Sequence, residues 1–214
     1  MDRVMSRRCI VRAASSLLPL AGCSLLVPQS PPQLYRLTMR IDDAPHQPLG
    51  PGPPLHGQLV IVVPEAPHSL DTDRIALTRN RTTLDYFAGS AWTDRAPGLL
   101  QGLLVQAFEN SGRIVAVGSD SMDLTPDYLL ETELRDFEAH YAETSDQPPT
   151  IAVTVDVKLV KMPDRRIIAG ILAAENAPAP RNDLDGIVVA FDIAVGRVLA
   201  RIVEWALRAM AHGR

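Results

Sequence analysis

The chain has 214 residues, a formal net charge of −4, 46% hydrophobic residues and 21% charged ones. That length suits one domain able to bury a sizeable core, and the acidic balance excludes a nucleic-acid binder, which needs a basic footprint. With two cysteines in all, Cys9 and Cys23, there is no disulfide framework to read.

The N-terminus carries Arg3, Arg7, Arg8 and Arg12, then an apolar run from Ala13 to Leu20. That run is far shorter than the roughly 20 helical residues a bilayer span requires. A basic leader, a short apolar core and small residues at the end describe a secretory signal. Leu20-Ala21-Gly22-Cys23 reads as the lipobox of a bacterial lipoprotein. Small side chains at Ala21 and Gly22 admit the backbone to a peptidase groove, and the Cys23 thiol is the group that takes lipid. Cleavage is expected between Gly22 and Cys23. It would leave 192 residues and remove four arginines and one aspartate, moving the charge from −4 to −7. The single remaining thiol would be acylated, so no internal disulfide could form. Ser24 after the cysteine favours sorting to the outer membrane over the inner. Ser6-Arg7-Arg8 resembles a twin-arginine export signal, with the general route and a start at Met5 left open.

Residues 1–22 are therefore expected to be a signal peptide. Residues 23–33 form a lipidated cysteine and a tether stiffened by Pro28, Pro31 and Pro32. Residues 34–212 form one periplasmic domain. Within it, Leu34–Met39 predicts a first strand and 42–57 a loop rich in proline and glycine. Leu59–Val63, stopped by Pro64, predicts a buried strand. Ile75–Thr78 and Thr82–Phe87, flanking Arg79-Asn80-Arg81, predict a hairpin. Leu100, Leu103, Leu104, Ala107 and Phe108 fall on one face of a helix over about 97–110, with Pro97 in its first turn. Arg113–Val117 follows as a strand, so that strand, helix, short turn and strand suggest a parallel crossover unit. Tyr128–Phe137 is an acidic-tailed strand. Ile151, Val153, Val155, Val157 and Leu159 alternate with polar residues, as a half-buried strand does. Ile167–Ala174 returns antiparallel and Ala177–Pro180 closes it.

A helix over about 184–210 ends the chain, with Asp183 as N-cap. Ile187, Phe191, Val195, Val198, Ile202 and Trp205 are expected on its buried face, and Asp192, Arg197, Arg201, Glu204 and Arg208 on its wet face. Five charges exclude a membrane span. The fold class expected is α/β, a mixed sheet of about five to seven strands with two main helices against it.

No catalytic constellation emerges from the sequence. The five histidines, His46, His56, His68, His140 and His212, form no metal-ligand pair, so no metal and no cofactor is expected. Gly89-Ser90-Ala91 lacks the frame of an esterase elbow, and no phosphate loop is present. Asp71-Thr72-Asp73 and Asp120–Asp123 lack the spacing of a calcium loop. Glu131, Glu133, Asp136 and Glu138 read as a solvated strand face.

The stretch from His68 to Trp92 carries Leu70-Asp71-Thr72-Asp73-Arg74-Ile75, Leu84-Asp85-Tyr86-Phe87 and Trp92, then a leucine-rich helix ending at Ser111-Gly112-Arg113. With Tyr35-Arg36-Leu37 and the lipobox, this ordered set resembles the ABC-type transport auxiliary lipoprotein family, which includes paraquat-inducible protein C. The resemblance implies a mixed α/β fold with no catalytic residues. It also implies an outer-membrane docking role beside a mammalian-cell-entry domain protein and an ABC permease and ATPase that move phospholipids or other hydrophobic molecules. Arg74, Tyr86 and Trp92 are the candidate partner interface, with Arg74 free to pair with Asp71 and Asp73, and Trp92 either a packing anchor or an interface hot spot. Self-association stays open. So does a second reading, an envelope-assembly lipoprotein with no transporter; a periplasmic hydrolase is a third that no motif favours.

Overall fold

The computed structural model describes residues 31–38, 54–80, 82–122, 125–142 and 147–212; Gly22, Cys23 and the leader lie outside these. Among the described residues there are eight strands and two helices: β1 Gln33–Tyr35, β2 Leu55–Ile61, β3 Arg74–Asn80, β4 Thr83–Trp92, α1 Ala96–Asn110, β5 Ile114–Ser119, β6 Tyr128–His140, β7 Thr150–Lys161, β8 Arg166–Pro178 and α2 Leu184–His212. The fold is α/β, as its sequence pattern predicted.

One mixed sheet is built around β6, which is long enough to serve three neighbours. Along one edge it pairs antiparallel with β7, and β7 pairs antiparallel with β8. Its other edge is shared. Residues 128–130 pair parallel with β2 and residues 138–140 parallel with β3. Between them, the Leu134 amide donates to the Glu65 carbonyl at 2.7 Å. β2 passes on to β5 in parallel, while β3 passes to β4 antiparallel and β4 to β1 in parallel. The expected crossover is thus corrected. β4 and β5, which flank α1, lie on different branches and run in opposite directions, because both edges of β4 are taken by β1 and β3. The parallel partner of β5 is β2.

Pattern explains most of the elements. In β7, Ile151, Val153, Val155, Val157 and Leu159 are all fully buried, the period-2 alternation of a sheet with one covered face. α1 buries Leu100, Leu103, Leu104 and Phe108, with Pro97 in its first turn. α2 starts where the Asp183 carboxylate accepts from the Gly186 amide at 2.7 Å, an N-cap that satisfies one orphan donor. A Cβ on Gly186 would sit 2.8 Å from the Arg181 carbonyl oxygen, so the entry turn passes too close for any side chain. Ile187, Phe191, Val195, Val198 and Ile202 of α2 are buried against the sheet, and Trp205 is half-buried.

Asp192 departs from expectation. It is 8% exposed rather than on the wet face. Its carboxyl accepts from the Thr38 amide at 2.7 Å and the Thr38 hydroxyl at 3.0 Å. The chain leaving β1 is therefore fastened to α2, and β1 stops at Tyr35 instead of running on as a strand. β8 extends through Pro178, which an edge strand tolerates because its amide need not join a ladder. No helix among the described residues is long and apolar enough to cross a membrane.

Candidate functional site

The candidate interface lies where β3 and β4 lose register. Ala76 faces Tyr86 and Arg74 faces Ala91, so Phe87–Ser90 bulge out opposite Ile75. Gly89 takes φ 66° there, a left-handed conformation that costs a residue with a Cβ, and the Ser90 hydroxyl donates to the Phe87 carbonyl at 3.2 Å. A bulge of this kind re-aims the side chains on either side of it.

Arg74 and Tyr86 are brought together. The exposed Arg74 guanidinium lies 3.6 Å from the centroid of the Tyr86 ring, and the Tyr86 hydroxyl donates to the Ser69 carbonyl at 3.0 Å. The ring is thus fixed at its polar end, and the cation rests on its face. Stacking of this kind contributes about 0.5–1 kcal/mol at an exposed site and pre-orients a planar, five-donor group toward solvent. Arg74 does not pair with Asp71 and Asp73. Asp71 is held by Arg95 instead, through an ion pair and a 3.1 Å bond from Arg95 Nη2 to the Asp71 carbonyl. The turn is completed by the Arg74 amide donating to Thr72 Oγ1 at 3.2 Å, the Trp92 amide to the Asp73 carbonyl at 2.6 Å and the Ala96 amide to the Thr72 carbonyl at 3.0 Å. Asp71-Thr72-Asp73 is a structural joint between β3, β4 and α1.

Trp92 does not belong to the surface. It is 1% exposed and packs edge-on to Phe191 of α2 at 5.0 Å and tilted to Phe137 of β6 at 5.8 Å. The two phenylalanines are themselves 5.0 Å apart. Of the two readings open for Trp92, burial selects the packing anchor.

The sequence pattern missed a second stack. Arg79 lies 4.6 Å above the ring of Tyr141, whose other neighbour is Phe87 at 6.5 Å and whose hydroxyl donates to Asn182 Oδ1 at 2.8 Å. Burial pushes the Tyr141 hydroxyl above its ordinary pKa, against the opposing effect of Arg79. Arg79 and Tyr141 are 62 positions apart, so no local spacing signals them; only the parallel pairing of β3 with β6 does.

The acidic segment of β6 is a wet face, but a paired one. Arg135 bridges Glu133 at 3.0 Å and Asp156 at 2.8 Å, Lys158 reaches Asp156 at 2.9 Å, and Arg165 reaches Glu131 at 2.7 Å. The hydrogen bond from Lys158, then the charges of Lys158 and Arg135, hold the Asp156 carboxyl below the usual carboxylate range. Burial pushes the Glu138 carboxyl up, although His140 stands 3.1 Å away and draws it down. Among the described residues no group of three or more histidine, cysteine, aspartate or glutamate side chains is placed to hold a metal. His56, His68, His140 and His212 lie on separate elements, and His46 is outside the described residues.

The model of the ABC-type transport auxiliary lipoprotein component family matches residues 35–203, from β1 into the last turns of α2. The chain belongs to that family. Every part of the site just described, Arg74, Arg79, Tyr86, Trp92 and Tyr141, falls inside this auxiliary lipoprotein domain. A solved protein from Xanthomonas campestris, described by the family model DUF330, is 28% identical, with a TM-score of 0.76 over 85% of this chain and 98% of its own. A further solved structure, titled only as an uncharacterized protein, is 12% identical with a TM-score of 0.62 over 82% of this chain and 99% of its own, which is a likeness of fold alone. No curated protein matches the chain.

Proposed function

We propose that this auxiliary lipoprotein is a non-catalytic docking subunit. Held in the outer membrane through acylated Cys23, it fastens the periplasmic part of a mammalian-cell-entry type ABC transporter, which moves phospholipids or other hydrophobic molecules. The observation that carries this reading is the family match over residues 35–203 on a chain whose N-terminus ends in Leu20-Ala21-Gly22-Cys23. One acyl chain holds a protein only marginally, whereas two or more anchor it firmly; a multiply acylated cysteine supplies a fixed position beside a membrane. A stacked Arg74–Tyr86 pair next to a bulge offers a pre-oriented contact to a partner subunit, the use to which arginine and tyrosine are most often put in interfaces.

The test is co-purification. The tagged full-length protein, extracted in mild detergent after cross-linking in intact cells, is expected to bring down a mammalian-cell-entry domain protein and an ABC permease, and Arg74→Ala is expected to reduce that yield severalfold. Failure to recover such a protein, with the bait intact, would sink the reading. Separately, Cys23→Ala is expected to abolish acyl labelling and release the domain from the membrane fraction; retention of both would refute the anchor.

A further inference from the structure

Acids of the same chain hold many of its arginines. Arg95, Arg135, Arg165, Arg181, Arg201 and Arg208 each lie within 3.8 Å of a carboxylate oxygen. Arg74 is held differently. Its exposed guanidinium rests on the Tyr86 ring, and among the described residues no hydrogen bond or ion pair reaches it. Acids are not lacking nearby, but each is turned to another donor. Asp71 is engaged by Arg95, Asp85 Oδ1 accepts from the Tyr86 amide at 2.8 Å, and Asp94 Oδ1 accepts from the Arg95 amide at 2.7 Å. Asp73 Oδ1 is 3.5 Å from the Thr72 hydroxyl. A cation in an acidic neighbourhood thus keeps its fork of donors open. Arg79 repeats the stack on Tyr141 at 4.6 Å, but Arg74 lies closer to its ring, at 3.6 Å, and follows a joint that leads to the exposed bulge at Ala88 and Gly89.

Building on the docking role proposed above, we infer that Arg74 receives a single carboxylate, an aspartate or glutamate side chain of the partner protein, while Tyr86 supports the guanidinium from one face. Stacking occupies that face and leaves the N–H donors free in the plane of the group. There they match the two oxygens of a carboxylate in a bidentate fork. The Tyr86 hydroxyl, tied to the Ser69 carbonyl at 3.0 Å, fixes the platform, so less side-chain freedom is lost on binding. Charge selects the ligand. With Arg95 neutralised by Asp71, the site offers one positive charge, a match for one carboxylate. Phosphorylated ligands and anionic lipid surfaces are read by clusters of cations. The exposed Asp73, Asp85 and Asp94 of the adjoining segments repel such an extended surface, whereas one projecting carboxylate reaches the fork.

The experiment uses the tagged full-length lipoprotein in its native envelope, with Arg74→Lys, treated with a water-soluble carbodiimide. A carboxylate adds to the reagent as an O-acylisourea, and the amine now at position 74 attacks the acyl carbon. An amide bond forms and a urea leaves with the carboxylate oxygen. The wild-type guanidinium does not couple in this way. A link from position 74 to an aspartate or glutamate of the mammalian-cell-entry domain protein is expected, mapped by mass spectrometry of the joined peptides and not found in wild type. Arg74→Gln, polar but uncharged, is expected to lower the co-purified yield severalfold while leaving the far-ultraviolet circular dichroism unchanged. Should wild type recover no mammalian-cell-entry domain protein, the docking role fails by itself. The carbodiimide product then decides the role of Arg74 alone, and a link to a carboxylate of any other envelope protein upholds it. No link to another polypeptide, a product carrying only lipid, or a yield with Arg74→Gln equal to that of wild type would each overturn the inference.

Discussion

Asp192 is the residue whose role is set most completely by distance along the chain. Its carboxyl takes two hydrogen bonds from Thr38, 154 positions away. Helix periodicity alone assigns it to the wet face, since nothing local to α2 announces a partner. Asp192→Ala leaves the Thr38 amide without its acceptor at a part-buried position, a loss of about 1–3 kcal/mol. Urea denaturation is expected to show that decrease, and hydrogen exchange at Leu37 and Thr38 to accelerate; unchanged exchange there would mean the fastening is immaterial. Asp156 and Glu138 divide the acid response between them. Asp156 has a folded pKa below its unfolded value of about 3.9. Its contribution is present above that value and is lost as pH falls through the lower folded one. Glu138 is the reverse. Burial raises its folded pKa above the unfolded value of about 4.3, so its contribution is full below that value and is lost as pH rises through the folded one. Asp156→Asn is accordingly expected to flatten the loss of stability below about pH 4 while costing no more than about 1 kcal/mol at neutral pH, as partly exposed ion pairs do. Glu138→Gln is expected to remove the decline that sets in as pH rises above about 4; denaturation series on both sides of that pH check both signs.

At the scale of elements, strands with one covered face were legible and interruptions of the pleat were not. β7 announces itself because five apolar residues alternate without a break, and α2 because its stripe recurs at helical spacing through Ile202. β4 is cut short in a sequence reading because Ala88-Gly89-Ser90 destroys the alternation, although the strand resumes to bury Trp92. That resumption is what docks α2: Trp92, Phe137 and Phe191 bring β4, β6 and α2 into one aromatic contact. Trp92→Ala is therefore expected to cost about 3–5 kcal/mol, the range for deleting a large buried aromatic. Trp92→Phe is expected to cost no more than about 1.5 kcal/mol. It keeps ring-on-ring packing and removes an indole nitrogen that is buried with no hydrogen-bond partner among the described residues. Equal losses from the two variants, measured by denaturant titration, would show that the ring contacts contribute little.

For the molecule as a whole, the class of fold was readable but the order of its strands was not. Nothing in the sequence of β6 says that one edge will be divided between β2 and β3, since that division depends on pairings 60 to 70 positions apart. The candidate site was legible in half: the motif around Leu84–Phe87 led to Arg74 and Tyr86, while Arg79, Arg95 and Tyr141 joined it only through the folded sheet. The division of β6 also raises a question of cooperativity, because the β1–β4–β3 branch and the β2–β5 branch touch β6 at opposite ends. One continuous apolar cluster nevertheless runs from Leu59 and Ile61 of β2 through Leu130 and Phe137 of β6 to Ile75 and Trp92 of the other branch, covered throughout by α1 and α2. Neither branch can open without exposing residues the other helps to bury, so unfolding is expected in a single transition. A Trp205→Phe variant leaves Trp92 as the sole tryptophan, and its fluorescence reports the β4–α2 contact alone. That signal and the far-ultraviolet circular dichroism are expected to change at the same denaturant concentration, the signature of two-state behaviour. If the fluorescence transition came first, the β1–β4–β3 branch would be a separate unit, and the fastening of Thr38 to Asp192 would hold together two parts that fold independently.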